Sequence, residues 1–296
     1  MKRAFLLRSL ALAVALPACR SPEAAARPLV LELSPAHGAG LGADGRAALE
    51  QLLTASAGLA VRVNVARDAA SAVEAFAGNA ADAGLLSLFE YMLARHEYRV
   101  EARLQLLRGQ NQANYVGEIV IRDDGTVQTL KDLQGRPLAF VDEYSVSGFL
   151  LPARRLKDEG VRPVTRFAGS HPAAIQALKD KQVDAAAVFH GAIAAEPGLK
   201  VLANTGTVPN EPLFVRRGLA PDRAAALVKA VAALPTTDEG RALLLRLGNI
   251  TGLSPVTDKG YDDVAKDIAE IGLGVEDLVP GGRALAVRNR VQILAD

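Results

Sequence analysis

Tryptophan is absent from the 296 residues and aromatic side chains make up only 4% of them. That scarcity argues against sites assembled from stacked rings, such as sugar platforms, quaternary-ammonium cages or single-strand nucleic-acid surfaces. The chain has 1 cysteine, so no disulfide framework is available. Charge of one sign is also missing: 34 Lys and Arg stand against 33 Asp and Glu, leaving +1. Without a basic run or stripe, nucleic acid is not an expected partner. No run of about eighteen or more apolar residues occurs, so the mature chain has no expected membrane span. The four histidines, His37, His96, His171 and His190, are scattered without metal-ligand spacing, and neither a metal nor any other cofactor is expected.

What is present is apolar bulk. Half of the residues (50%) are hydrophobic, enough to fill one large or two medium cores at this length. The N-terminus carries Lys2 and Arg3, a short apolar run from Ser9 to Leu16, and then Leu16-Pro17-Ala18-Cys19. This is a secretory signal pattern. It also resembles a bacterial lipobox, which implies removal of 1–18, lipidation of Cys19 and an Ala- and Pro-rich tether over 19–28. Arg8 and Pro17 depart from that pattern, so a plain secretory signal is the alternative. Either way the protein is expected outside the cytoplasm, and in the lipidated form its only membrane contact is the lipid.

Along the rest of the chain, β-branched or leucine-rich runs alternate with helical patterns. Strands are expected at Leu29 to Leu33, Leu59 to Val65, Asp82 to Leu86, Arg103 to Leu107, Tyr115 to Arg122, Leu138 to Val141, Val164 to Phe167, Val183 to Phe189 and Leu199 to Ala203. From Pro221 onward the pattern is mainly helical. Alternation of this kind implies an α/β fold with mostly parallel sheets covered on both faces, where ligands gather at the carboxyl ends of strands. Ser34, Asp68 and Ser87 fall at such ends, where each also reads as a helix cap. Gly40, Gly42 and Gly45 form a formal G-x-G-x-x-G. A dinucleotide site needs the first glycine directly after its strand, and here Ser34 to Ala39 intervene, so the glycines are expected to form a flexible loop.

The segment Phe140 to Pro152 organises the remainder. A strand ending at Val141 leads into Ser145-Val146-Ser147 and Gly148, which opens a helix to about Gly160. The first N–H groups of a helix lack intrahelical partners and carry partial positive charge, so such a terminus suits a phosphate-like anion. An ordinary Ser-capped helix is the competing reading. Pro152, about one turn in, is expected to leave the Gly148 carbonyl without its usual partner and to kink the helix.

With these blocks in view, the chain from Leu29 to about Arg216 resembles the phosphate/phosphite/phosphonate substrate-binding proteins of ABC importers. Asp142, Ser145, Ser147, Gly148, Phe149, Leu150 and Pro152 match that family's Asp-Pro-x-Ser-Thr-Ser-Gly segment. Gly169-Ser170-His171 precedes a helix ending before Gln182-Val183-Asp184-Ala185, Tyr115 opens the strand holding Ile119 to Arg122, and Pro209-Asn210-Glu211-Pro212 matches a Pro-x-acid-Pro turn. The resemblance implies a two-lobed type II periplasmic-binding-protein fold with two crossovers. One lobe would hold 29–115 plus 213–296 and the other 116–212, with ligand in the cleft between them. It further implies a small oxyanion held by Tyr115, Ser145, the Val146 N–H, Ser147 and His171, with Glu211 touching a protonated oxygen or amine; Ser87 is a further candidate from its strand end alone. A permease or a sensor kinase would be the protein partner and the binding protein would act as a monomer. Val146 and Glu143 replace the family's threonine and proline, which removes one hydroxyl donor and places a carboxylate beside the site; the aromatic that phosphonate binders carry near Asp68-Ala69 and the acid near Gly191 are also missing, which favours a small oxyanion over a large amino-phosphonate. The rival from another class is a hydrolase using Ser145 or Ser147 with His171, but no G-x-S-x-G elbow surrounds either serine.

Overall fold

The computed structural model describes residues 27–295. The expected signal at 1–18, the Cys19 anchor and all but the end of the 19–28 tether lie outside the described residues.

The first lobe opens with β1 (Leu29–Leu33), α1 (Pro35–Ala39), α2 (Gly42–Ala57), β2 (Val61–Val65), α3 (Ala69–Glu74), β3 (Ala83–Leu85), α4 (Leu88–Tyr98) and β4 (Glu101–Arg108). The chain then crosses to β5 (Asn114–Arg122), β6 (Pro137–Phe140), a wide π turn at Val146–Leu150, α5 (Leu151–Asp158), β7 (Val164–Phe167), α6 (His171–Lys179), β8 (Ala185–Phe189) and β9 (Leu199–Pro209). It returns through β10 (Pro212–Val215), α7 (Pro221–Ala233), α8 (Asp238–Gly248), β11 (Ile250–Pro255), α9 (Asp262–Glu270) and α10 (Gly282–Ala295). Among the described residues no helix is long and apolar enough to cross a membrane.

Two sheets result, ordered β11-β4-β10-β3-β1-β2 and β7-β6-β8-β5-β9. β1 is parallel to β2 and β3, and β6 is parallel to β7 and β8. β10 runs antiparallel to β3 and β4, β11 to β4, and β5 to β8 and β9. Both sheets are therefore mixed, where the alternation of the sequence predicts mostly parallel ones. The antiparallel strands are those that lead into and out of the two crossovers, or that add to an edge, and such pairs need no helical connection to mark them in sequence.

Two local expectations are also corrected. The segment from Gly40 to Gly45 is no flexible loop: Ser34 caps α1 by accepting from the His37 N–H, and α2 begins at Gly42. Gly40 is there for close approach, since a Cβ on it would lie 2.0 Å from the Arg246 carbonyl oxygen of α8. β11, in the region read as helical, is disguised by Gly252 and Pro255, residues tolerated on an edge strand; it joins β4 through a bulge between Ile250 and Gly252.

The apolar cores follow the sheets, with one exception. Val146, Leu150 and Leu151 of the second lobe are buried in one cluster with Phe89, Tyr91 and Met92 of the first. The lobes thus share a dry contact directly beside the crossovers.

Candidate functional site

Both crossovers are polar, and their backbones are stitched to each other. Asn210, 2% exposed, donates from Nδ2 to the Leu106 and Gln112 carbonyls at 3.1 and 2.9 Å. Gln105 Nε2 donates to the Ala113 carbonyl at 2.8 Å, and the Tyr261 hydroxyl donates to the Asn210 carbonyl at 3.1 Å. Buried amides that complete their hydrogen bonds in this way specify one geometry.

Glu211, next in the chain, accepts from Arg108 Nη1 at 2.9 Å on Oε2 and from His37 Nε2 at 2.8 Å on Oε1. Arg108 Nη2 also reaches Oε1, so the guanidinium is bidentate. Burial opposes the charge on Glu211, but the hydrogen bonds and charges of His37 and Arg108 hold its carboxyl well below the usual range. Arg108 spends Nε on the Gly248 carbonyl at 2.9 Å, and His37 Nδ1 meets the Ser34 hydroxyl at 2.7 Å.

On either side of this pair lie two cavities. One, of about 350 Å³, is lined by His37, Ser87, Tyr144, Ser145 and Val146. The other, of about 550 Å³, is lined by Asn114, Ser147, His171, Phe189 and His190. Arg108, Tyr115 and Glu211 form part of both walls.

The serine segment enters from β6. Asp142 Oδ1 accepts from the Tyr144 N–H at 2.8 Å, turning the chain, and Ser145 Oγ accepts from the Gly148 N–H at 3.0 Å. The first turn is widened: the Leu150 N–H reaches the Ser145 carbonyl at 3.0 Å, and Leu151 reaches that of Val146. Pro152 has no N–H for the Gly148 carbonyl, which accepts instead from the Val141 N–H at 3.1 Å. The predicted missing bond is thus met from the strand, and the helix is entered through a π turn of the kind often found at functional sites. Ser147, 2% exposed, shares the wall of the larger cavity with Tyr115. Burial and then the neighbouring Glu211 charge push the Tyr115 hydroxyl up to about 12, so it stays protonated. Val146 is 7% exposed and packs into the shared apolar cluster.

His171 begins α6, but Ser170 is the cap, accepting from the Ala173 N–H at 3.2 Å. The imidazole is therefore free of that duty and stands edge-on to Phe189, centroids 4.9 Å apart. Its Nδ1 is buried without a hydrogen-bond partner among the described residues, and burial pushes its pKa down. Ser87 heads α4, where its N–H donates to Glu90 Oε2 at 2.8 Å; burial raises the Glu90 pKa despite that bond.

All seven candidate residues therefore reach the two cavities: Ser87, Ser145 and Val146 on one, Ser147 and His171 on the other, Tyr115 and Glu211 on both. Not all are free. Both Glu211 oxygens are occupied by protein groups, and Ser145 Oγ is engaged as a cap. Sequence reasoning missed Arg108, His37 and His190 as wall residues. Only His37 had a local signal, its place just after the Ser34 strand end; Arg108 is 103 residues from its partner. Among the described residues no cluster of His, Cys, Asp and Glu is suited to a metal.

The comparisons accord with this architecture. The sequence model of the family described as "ABC transporter, phosphonate, periplasmic substrate-binding protein" matches residues 40–261. None of the curated proteins matches the chain. Among solved structures, XAC2383 from Xanthomonas citri bound to ATP is 18% identical with a TM-score of 0.69, covering 85% of this chain and 99% of that one. PhnD1 from Prochlorococcus marinus, in complex with methylphosphonate, is 17% identical with a TM-score of 0.59, covering 82% and 97%. A binding-protein component of an ABC phosphonate transporter from Pseudomonas aeruginosa is 18% identical with a TM-score of 0.57, covering 90% and 98%. At these identities the structures establish the fold.

Proposed function

Because the chain belongs to the periplasmic substrate-binding proteins of phosphonate ABC transporters, we propose that it captures a small oxyanion, such as a phosphonate, phosphite or phosphate, between its lobes and presents it to a permease. One observation carries this reading: Tyr115, Ser147 and His171 meet on a single cavity of about 550 Å³ beside the crossovers. The methylphosphonate bound by the Prochlorococcus marinus relative supports the same ligand class.

The donors present are sufficient for reversible capture. A hydrogen bond to a charged group is worth about 1.5–3 kcal/mol, and micromolar affinity requires about 8 kcal/mol, so a few hydroxyl and ring donors reach it. Arg108 adds no net charge, because Glu211 neutralises it. Release to a transporter is thereby kept possible. The protein is a carrier with no catalytic step, exported by its N-terminal signal, anchored through a lipid on Cys19 and active as a monomer.

Calorimetry of the mature protein against phosphate, phosphite, methylphosphonate, sulfate and arsenite tests the proposal. Heat with at least one is expected, and absence of heat with all five would overturn the oxyanion reading. Ser145→Ala combined with Ser147→Ala is expected to weaken binding by at least about 2 kcal/mol while circular dichroism remains that of the wild type; unchanged affinity would place the ligand elsewhere.

A further inference from the structure

One wall residue of the larger cavity, His190, and the carboxylate behind it are left unused by that reading. His190 directly follows β8, its N–H donating to the Val116 carbonyl at 2.7 Å, and its Nδ1 lies 2.7 Å from Glu118 Oε1. The two partners differ sharply in environment: the Glu118 side chain is 3% exposed and that of His190 is 72% exposed. Glu118 sits in the middle of β5, between Val188 of β8 and Asn204 of β9. Its second oxygen, Oε2, has no hydrogen-bond partner among the described residues.

Folding alone does not favour this arrangement. A buried carboxylate oxygen without a partner costs free energy, and Val120, two residues along the same face of β5, is apolar and fully buried. A valine at 118 would continue that row. What Glu118 does provide is orientation. A carboxylate only accepts, so Nδ1 of His190 carries the proton and donates, and in the neutral ring Nε2 is left as an acceptor. Carboxylates behind metal-binding histidines set ring and tautomer in this way; here the ring forms part of the wall of the larger cavity.

We propose that His190 is a specificity-determining residue, held by Glu118 as its positioning residue, and that its Nε2 accepts a hydrogen bond from a hydroxyl on the organic arm of the bound oxyanion. The inference rests on the oxyanion reading above and deepens it from a bare oxyanion to one carrying a hydroxylated substituent. Space agrees, since about 550 Å³ exceeds what a bare tetrahedral anion fills. The chemistry of the wall agrees as well. Arg108 and Glu211 are spent on each other, and burial favours the neutral ring of His171, so these groups add no net charge to the cavity wall and leave it compatible with a neutral polar arm.

The test compares 2-hydroxyethylphosphonate with its isostere propylphosphonate by calorimetry on the whole mature protein. The wild type is expected to bind the hydroxyl compound about tenfold more tightly. His190→Phe, at an exposed position that fills the same space, is expected to abolish that preference while leaving propylphosphonate within about twofold. Glu118→Met, similar in length but without an acceptor, is expected to reduce the preference with His190 still in place. A wild type that shows no preference, or a preference that survives in His190→Phe, would overturn the assignment. Absence of heat with both compounds in the wild type would overturn the oxyanion reading beneath it. Nitrogen-15 spectra of the ligand-free protein judge the pair independently of any ligand: the His190 proton is expected on Nδ1, moving toward Nε2 in Glu118→Met, and a proton already on Nε2 in the wild type would overturn the positioning role.

Discussion

Glu211 shows how little a residue's identity says about its role until its neighbours are known. In the sequence it is an acid in a Pro-x-acid-Pro turn, and the family resemblance suggests contact with a ligand's protonated oxygen or amine. In the structure both oxygens are held by Arg108 and His37. Removing one member of a buried ion pair strands the other charge, so Arg108→Met is expected to lower unfolding free energy by about 3 kcal/mol, whereas Arg108→Met with Glu211→Met together should lose much less; urea denaturation measures both. The pH dependence has a definite sign. The Glu211 carboxyl is depressed below its ordinary 4.5 when folded, so the stability it contributes is complete above that value and is lost as the pH falls below it. Glu211→Gln is expected to flatten this part of the acid limb. His37, Arg108 and Glu211 could not be joined by local reasoning, because separations of 103 and 174 residues are closed only by the sheet.

Elements were more legible than contacts. Ser34, Asp68 and Ser170 each cap the helix that follows them, as expected of short polar side chains next to a helical pattern. The turn after Ser145 was legible only in part. Pro152 announces a missing donor, but the acceptor's new partner, Val141, comes from the strand before the loop. This close return leaves no room at Gly148, where a Cβ would lie 2.5 Å from Val141 Cγ2 and 2.8 Å from Ser145 Oγ. Gly148→Ala is therefore expected to destabilise the protein by about 1–3 kcal/mol through overpacking. Adding Val141→Ala should recover part of the loss, a coupling that a double-mutant cycle of thermal or urea unfolding measures.

Across the whole molecule, the two lobes meet at a second place besides the crossovers. Arg154 of α5 pairs with Asp267 of α9 at 2.7 Å and with Glu270, and Lys157 Nζ donates to the Glu270 carbonyl at 2.6 Å. Burial raises the Asp267 pKa against the opposing pull of Arg154. Together with Val146, Leu150 and Leu151 seated among first-lobe side chains, these bonds clasp the lobes on the side of α5. Partly exposed pairs contribute about 0.2–1 kcal/mol each and weaken in salt. Arg154→Ala with Lys157→Ala is therefore expected to leave overall stability nearly unchanged but to enlarge the ligand-free radius of gyration by small-angle scattering; an identical radius at low and high salt would show that the apolar contact alone holds the lobes together.

The sequence by itself determined the α/β alternation, the helix caps, the four ordered blocks that carry the family resemblance, and the candidate residues from Tyr115 to Glu211. These are legible because they rest on chemistry within a few residues of chain: the 2- and 3.6-residue periods, a hydroxyl before a helix, a proline without a donor. Only the tertiary structure decided that both sheets are mixed, that Arg108 and His37 occupy Glu211, that Val141 replaces the donor Pro152 lacks, and that Glu118 lies buried behind His190. Each of these depends on strand pairing or desolvation between groups brought together by folding, and the energy of an ion pair or a hydrogen bond is set by distance and burial in space rather than by separation along the chain.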